Sequence, residues 1–174
     1  GGLLVLCSPF NKVSALDPLT GAQVWTYDPE IARVRYPNLA NCRALAQWSD
    51  SEPAPAQAEP VGQMVSACVN RLFMATNDAR LIALDGLTGK VCAEFGSGGA
   101  IDLKAGVGQL SWAQEYQVSS APAVVGDVVV VGSAVADNQR IDAPSGVVRG
   151  YDVRSGNLVW AFDLAPPDFD YATG

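Results

Sequence analysis

The chain has 174 residues, 18 acidic against 11 basic side chains, a net charge of −7 and no histidine. Without imidazole there is no Ser-His-Asp or Cys-His nucleophile, no histidine-based zinc site and no imidazole proton shuttle. The few scattered basic residues build no phosphate-binding surface, so no nucleic-acid partner is expected, and 49% hydrophobic against 17% charged residues marks a globular chain.

In chain order, the first strand candidates are Leu3-Leu4-Val5-Leu6 and Val13-Ser14-Ala15-Leu16. A turn, Asp17-Pro18-Leu19-Thr20-Gly21, and the run Gln23-Val24-Trp25-Thr26-Tyr27 follow. Arg43 to Trp48 is the next candidate, then a Pro/Ala-rich loop from Ser51 to Pro60 and a strand Arg71-Leu72-Phe73-Met74-Ala75. The turn recurs as Ala83-Leu84-Asp85-Gly86-Leu87-Thr88-Gly89, and Gly-rich Gly96 to Gly108 is expected to be loop. Gln117 to Val125 and Val128-Val129-Val130-Val131 are further strand candidates. The turn's third copy is Gly150-Tyr151-Asp152-Val153-Arg154-Ser155-Gly156, and the tail from Pro166 to Gly174 is expected to be loop.

Each copy of Asp-x-x-Thr/Ser-Gly joins two strand candidates, and Asp17, Asp85 and Asp152 stand 68 and 67 residues apart. The chemistry suits a hairpin: the carboxylate accepts backbone N–H groups two residues on, and glycine takes the positive φ that closes the loop. Repetition at this period predicts an all-β chain, a β-propeller of four-stranded antiparallel blades around 3–27, 43–95 and 117–163. Propellers close with about four to eight blades, so three would belong to a larger propeller, expected to be eight-bladed, whose remainder or a second copy covers the open faces.

Cys7, Cys42, Cys68 and Cys92 fit no metal-ligand spacing. Two readings stand: buried small hydrophobes, or a Cys42–Cys68 bridge across the Pro/Ala-rich loop, which would indicate an oxidising compartment. The best apolar stretch, Ala121 to Ala136, is interrupted by Asp127, so no membrane anchor is expected within the chain. The opening Gly1-Gly2-Leu3 has no initiator Met and no basic-then-apolar leader, and the true N-terminus is expected to have been removed or to lie upstream.

The run Ala15-x-Asp17-x-x-Thr20-Gly21-x-x-x-Trp25, repeated as Gly150-x-Asp152-x-x-Ser155-Gly156-x-x-x-Trp160, resembles the tryptophan-docking motif of quinoprotein dehydrogenases that use pyrroloquinoline quinone, PQQ. In the middle copy Ala93 replaces the tryptophan. The stretches Asn77 to Asp85, Gly132 to Asn138 and Ser145 to Asp152 are similar to the membrane-associated glucose, quinate and polyol dehydrogenase branch.

That resemblance implies PQQ with Ca²⁺ or Mg²⁺, an alcohol, sugar or cyclic polyol as substrate, ubiquinone as electron acceptor, and the periplasmic side of the bacterial inner membrane. Asp137 and Asn138 match the family's metal-binding position, and oxygen ligands suit such a cation. Arg43 matches the arginine that pairs with a PQQ carboxylate, Ser119 a hydroxyl that bonds another, and Ala134, Val135 and Ala136 the backbone beside the cofactor. Trp48 stands where the sugar-oxidising branch often has histidine and the simple-alcohol branch tryptophan. No residue here matches the family's base, an aspartate expected beyond residue 174, so the segment alone is expected to be inactive.

Taken singly, Asp137-Asn138 also suits a plain turn, Arg43 a solvated strand residue and Ser119 a strand end. Two further functions stay open: a cofactor-free propeller acting as a binding or assembly scaffold, and a carbohydrate-binding module that stacks sugars on Trp25, Trp48, Trp112 and Trp160.

Overall fold

Short apolar runs separated by Gly, Pro, Asp and Asn give thirteen strands and no helix among the described residues, which in this computed structural model are 2–31, 41–50, 68–136 and 138–163. The first sheet holds β1 (Leu4–Cys7), β2 (Val13–Leu16) and β3 (Gln23–Tyr27) in that order. The second orders β4 (Ala46–Ser49), β5 (Asn70–Ala75), β6 (Arg80–Asp85) and β7 (Ala100–Asp102). A ribbon pairs β8 (Tyr116–Gln117) with β11 (Ala134–Val135). The third sheet orders β9 (Ala123–Val125), β10 (Val128–Val131), β12 (Val148–Asp152) and β13 (Leu158–Phe162), and all pairings are antiparallel.

Three sequence expectations are corrected. The strand expected from Arg43 begins only at Ala46, leaving Arg43 in the lead-in segment. The run Gln117 to Val125 splits between the ribbon and the third sheet, at Pro122, which has no N–H to give a ladder. The Gly-rich stretch expected to be loop contains β7, whose Ile101 pairs with Leu81. Three glycines before β7 take positive φ and turn the chain back onto β6: Gly96 at 59°, Gly98 at 61° and Gly99 at 89°.

The three turns form one hydrogen-bonded device. Asp17 Oδ1 accepts from the N–H of Leu19 (2.8 Å) and Thr20 (3.0 Å), Asp85 Oδ1 from Leu87 (3.1 Å) and Thr88 (2.8 Å), and Asp152 Oδ1 from Arg154 (3.1 Å) and Ser155 (2.7 Å). The closing glycines, Gly21, Gly89 and Gly156, sit at φ 72°, 70° and 73°, each donating its N–H to the turn aspartate's carbonyl.

Two of these glycines also receive the neighbouring sheet. A methyl group at Gly89 would stand 2.4 Å from the Trp25 indole, and one at Gly156 would stand 2.6 Å from the Gly96 nitrogen, whose N–H donates to Ser155 O at 2.9 Å. Trp25 is buried on the second sheet, whereas Trp160 packs over Gly150 of its own sheet and stays 39% exposed. Trp160, the tryptophan of the third copy of the motif, thus meets no second sheet among the described residues.

The second sheet is buried on both faces and its side chains divide by period two. Leu72, Met74, Ile82 and Leu84 face the first sheet with Val13, Ala15 and Trp25. Phe73, Ala75, Leu81 and Ala83 face the third with Phe95, Leu103, Val129 and Val153. Each large apolar side chain so buried contributes about 1.5–3 kcal/mol. Leu4 and Leu6 of β1 and the whole of β13 remain exposed.

Charged groups complete the second interface. Buried Arg71 donates to Cys68 O (3.0 Å), to Val153 O (3.1 Å) and Arg154 O (2.8 Å) in the third sheet's turn, and to Glu94 (2.7 Å). Arg154 reaches back to Asp50 at 3.0 Å and Asp127 at 3.1 Å, and its guanidinium lies 4.6 Å from the Trp48 ring centroid.

The cysteines follow neither reading open in the sequence. Cys7 pairs with Cys42 and Cys68 with Cys92, each with Cα atoms 5.8 Å apart. The end of β1 lies beside the segment entering β4, while Cys68 and Cys92 flank the β5–β6 hairpin. The residues of the expected loop bridge from 51 to 67 lie outside the described residues.

Two predictions follow from the turns. Gly89→Ala and Gly21→Ala share positive-φ strain, but only Gly89 faces an indole, so chemical denaturation is expected to show Gly89→Ala costing about 1–3 kcal/mol more. Burial pushes the Asp85 carboxyl up, but bonds from Cys68 N–H, Thr88 and Leu87 N–H outweigh it and hold the group below its ordinary value. A depressed folded value gives stability present above the unfolded value, about 4, and lost as pH falls through the folded one. Asp85→Asn cannot accept both sets of bonds, so it is expected to lose about 1–3 kcal/mol at neutral pH and to decline less steeply than the parent below about pH 5.

Candidate functional site

β4 and β9, the first strands of the second and third sheets, lie near each other. Ala46 at the start of β4 pairs with Phe73 near the end of β5, and Ala123 at the start of β9 with Val130 near the end of β10. Antiparallel pairing therefore brings the lead-in to each first strand to the same end of its sheet as the following connection, β5–β6 or β10–β12. Arg43, Ser119 and the segment carrying Ala134 to Asn138 belong to these lead-ins and connections.

Arg43 is exposed on the wall of a groove of about 510 Å³, with Leu3, Val5, Leu6, Leu45 and Leu72 as its apolar lining and Gln47 as a further polar group. Among the described residues no carboxylate pairs with Arg43.

The segment entering Arg43 is tied at three points. The Cys7–Cys42 bridge fixes the preceding residue. Asn11, fully buried, donates from Nδ2 to Asn41 O at 3.1 Å and accepts the Asn77 N–H on Oδ1 at 2.9 Å. Asn77 Nδ2 donates to the same Asn41 carbonyl at 3.0 Å.

The β8–β11 ribbon carries the other candidates. Ala134 pairs with Gln117 and Val135 with Tyr116, Ala136 N–H donates to Glu115 O at 3.0 Å, and half-buried Ser119 lies two residues past β8. Asn138 is exposed, its Oδ1 accepting from Gln139 Nε2 at 3.0 Å, while Asp137 lies outside the described residues. The structure thus brings Ser119 and Ala134 to Ala136 to one ribbon, and no described hydrogen bond joins them to Arg43.

Two groups escaped the sequence reading. Glu115, its side chain fully buried, accepts from Arg140 Nε at 2.5 Å and from Ser111 N–H at 2.6 Å, and Arg140 also donates to Gln109 O at 2.7 Å. The Arg140 hydrogen bond, aided by Ser111 and opposed by burial, holds the Glu115 carboxyl below the usual range. This pair pins the chain just past Asn138 to the chain just before β8. The available signal was that Glu115 is the lone charge between Leu110 and Ser120.

Trp48 is buried, with Nε1 donating to Asp127 at 3.1 Å and Arg154 over its ring, so it serves the interface between sheets. With Trp25 also buried, a sugar-stacking surface built on four tryptophans loses two of its members. Among the described residues the one group with metal-ligand spacing, Cys68, Cys92 and Glu94, has both sulfurs in a disulfide and offers no thiolate.

Among known proteins, the chain is 37% identical over 177 residues to quinate/shikimate dehydrogenase (quinone) of Acinetobacter baylyi, an alignment covering 98% of this chain and 22% of that protein. It is 40% identical over 168 residues to the glycerol dehydrogenase large subunit of Gluconobacter thailandicus, covering 97% and 21%. The chain thus spans about a fifth of the length of these relatives. The crystal structure of quinohemoprotein alcohol dehydrogenase from Comamonas testosteroni matches at a TM-score of 0.67 and 22% identity, over 94% of this chain and 20% of that one, which supports the fold. The family model for the PQQ glucose/ethanol/alcohol dehydrogenase β-propeller domain matches residues 1–174. The three sheets are therefore propeller blades, and the chain belongs to the PQQ-dependent glucose/ethanol/alcohol dehydrogenase β-propeller family.

Proposed function

We propose that this chain supplies part of the cofactor site of a PQQ-dependent dehydrogenase that oxidises a sugar, a cyclic polyol or another alcohol, of the glucose or quinate kind. The observation that carries the reading is Arg43, an exposed guanidinium beside an open groove with no carboxylate partner among the described residues. PQQ is a tricarboxylate, and a guanidinium forks onto a carboxylate through two parallel hydrogen bonds, so the donor fits the group. The Asn138 carboxamide oxygen, exposed on its loop, is likewise the hard donor that Ca²⁺ or Mg²⁺ takes.

In this reading Arg43 holds one cofactor carboxylate and the Ser119 hydroxyl donates to another. Ala134, Val135 and Ala136 allow close approach of backbone, and Asp137 with Asn138 ligates the cation. When bound, PQQ would supply a two-electron acceptor, and a cation held beside it would make it more electrophilic. The groups of this chain bind and orient, and the base that takes the alcohol proton is assigned to another part of the protein. Two disulfides support an oxidising compartment, and the proposal extends to the periplasmic face of the inner membrane with ubiquinone as acceptor.

The test uses the full-length polypeptide reconstituted with PQQ and Ca²⁺ or Mg²⁺, with dye-linked reduction measured on glucose, quinate, shikimate, glycerol and simple alcohols. PQQ- and metal-dependent turnover is expected, and the substrate that turns over names the class. Arg43→Ala is expected to weaken PQQ binding about 10- to 100-fold, the worth of a charge-assisted hydrogen bond. Asp137→Ala is expected to abolish metal-dependent reconstitution while the melting temperature is retained. Absence of PQQ binding by the parent protein would transfer the chain to the scaffold reading.

A further inference from the structure

The β1–β2 and β5–β6 connections are the same turn built twice. In the first, Ser8 N–H donates to Lys12 O at 2.8 Å and Asn11 N–H to Ser8 O at 2.9 Å; in the second, Thr76 N–H donates to Arg80 O at 2.9 Å and Ala79 N–H to Thr76 O at 2.9 Å. Asn11 and Ala79 occupy equivalent positions, at φ 59° and 62°, and both are fully buried. The second copy shows that this turn closes with a methyl group at that place. The Asn11 carboxamide is therefore not required by its own hairpin, and a buried carboxamide is costly unless its hydrogen bonds are made.

Both of its described hydrogen bonds leave the hairpin. Its Oδ1 takes the Asn77 N–H of the neighbouring blade, and its Nδ2 reaches the Asn41 carbonyl, two residues before Arg43. Asn77 Nδ2 converges on the same carbonyl, and Cys42, between Asn41 and Arg43, is bonded to Cys7. An exposed four-rotor side chain gains a defined position only through its backbone, and here the backbone is held from two blades at once.

We propose that Asn11 is a positioning residue for Arg43: the Asn11 and Asn77 side chains converging on the Asn41 backbone carbonyl, with the Cys7–Cys42 bridge, set the guanidinium where it receives a cofactor carboxylate. The inference rests on the reading of Arg43 given above. Removing Asn11 acts on the cofactor only through Arg43, so its effect on binding disappears when Arg43 is already gone.

A double-mutant cycle on PQQ affinity tests this, with calorimetric titration of the full-length polypeptide in excess Ca²⁺ and thermal melting as the folding control. Asn11→Ala, which Ala79 shows the turn accepts, is expected to weaken PQQ binding about tenfold, as loss of supporting partners around a binding group does. In the Arg43→Ala background it is expected to change affinity no further, whereas a merely structural residue would give an effect independent of Arg43. Unchanged affinity in folded Asn11→Ala, or full additivity with Arg43→Ala, overturns the proposal. If Asn11→Ala does not fold, Asn77→Ala, which leaves the first turn's own Ser8–Lys12 and Asn11–Ser8 hydrogen bonds in place and removes the Asn77 Nδ2 bonds to the Asn41 and Pro9 carbonyls, carries the same expectation and the same refutation. Unchanged affinity in Arg43→Ala alone would instead overturn the reading of Arg43, and the proposal with it.

Discussion

The structure depends on one constraint: a hairpin closed by Asp-x-x-Thr/Ser-Gly leaves a bare glycine Cα on the blade face. The carboxylate neutralises two backbone donors that a short turn cannot otherwise satisfy, and the positive-φ glycine lets the chain reverse. Lacking a side chain, that glycine is also the place where the next blade can come closest. At Gly89 the visitor is the Trp25 ring, and at Gly156 it is the backbone of Gly96. Gly21 shows the same turn with none of the described residues within 4 Å of the added methyl position.

The two blade interfaces meet this constraint by different means. Between the first and second blades an indole fills the gap, supported by Val13, Ala15 and the Leu72 face of the sheet. Between the second and third, Ala93 stands where the tryptophan would be, and Phe95 with Gly96 takes its place. The Arg71 guanidinium then binds across to the Val153 and Arg154 carbonyls of the third blade, and the Arg154 guanidinium binds across to Asp50 of the second blade and also to Asp127 of its own. A buried guanidinium needs every donor matched, and Arg71 has four partners on three segments. The disulfides act alongside: Cys7–Cys42 ties the first blade to the second, and Cys68–Cys92 closes the base of the central hairpin.

Strands and turns were legible because their signals are local: alternation over a few residues, and an Asp and a Gly at fixed offsets. The repeat of three such turns made the blades legible as well. What eluded the sequence depends on partners far along the chain. Cysteine pairing is set by which strand ends meet, and β7 is held by β6 and not by its own weak propensity. The β8–β11 ribbon joins two-residue strands that no periodicity marks. The family resemblance supplied the candidate residues Arg43, Ser119, Ala134 to Ala136, Asp137 and Asn138, while the supports beside them, Asn11, Asn77, Glu115 and Arg140, carry no motif. Asn11 is visible only when its turn is laid over the one that carries Ala79.

Family membership, the exposed guanidinium of Arg43 and the ribbon with Ser119 and Ala134 to Ala136 converge on the lead-in ends of the blades' first strands. The most direct test is a crystal structure of the full-length polypeptide with PQQ and Ca²⁺. The account predicts a PQQ carboxylate on the Arg43 guanidinium and the cation on oxygen atoms of Asp137 and Asn138. PQQ seated elsewhere, with Arg43 in solvent and the Asn138 loop bare of metal, would contradict it.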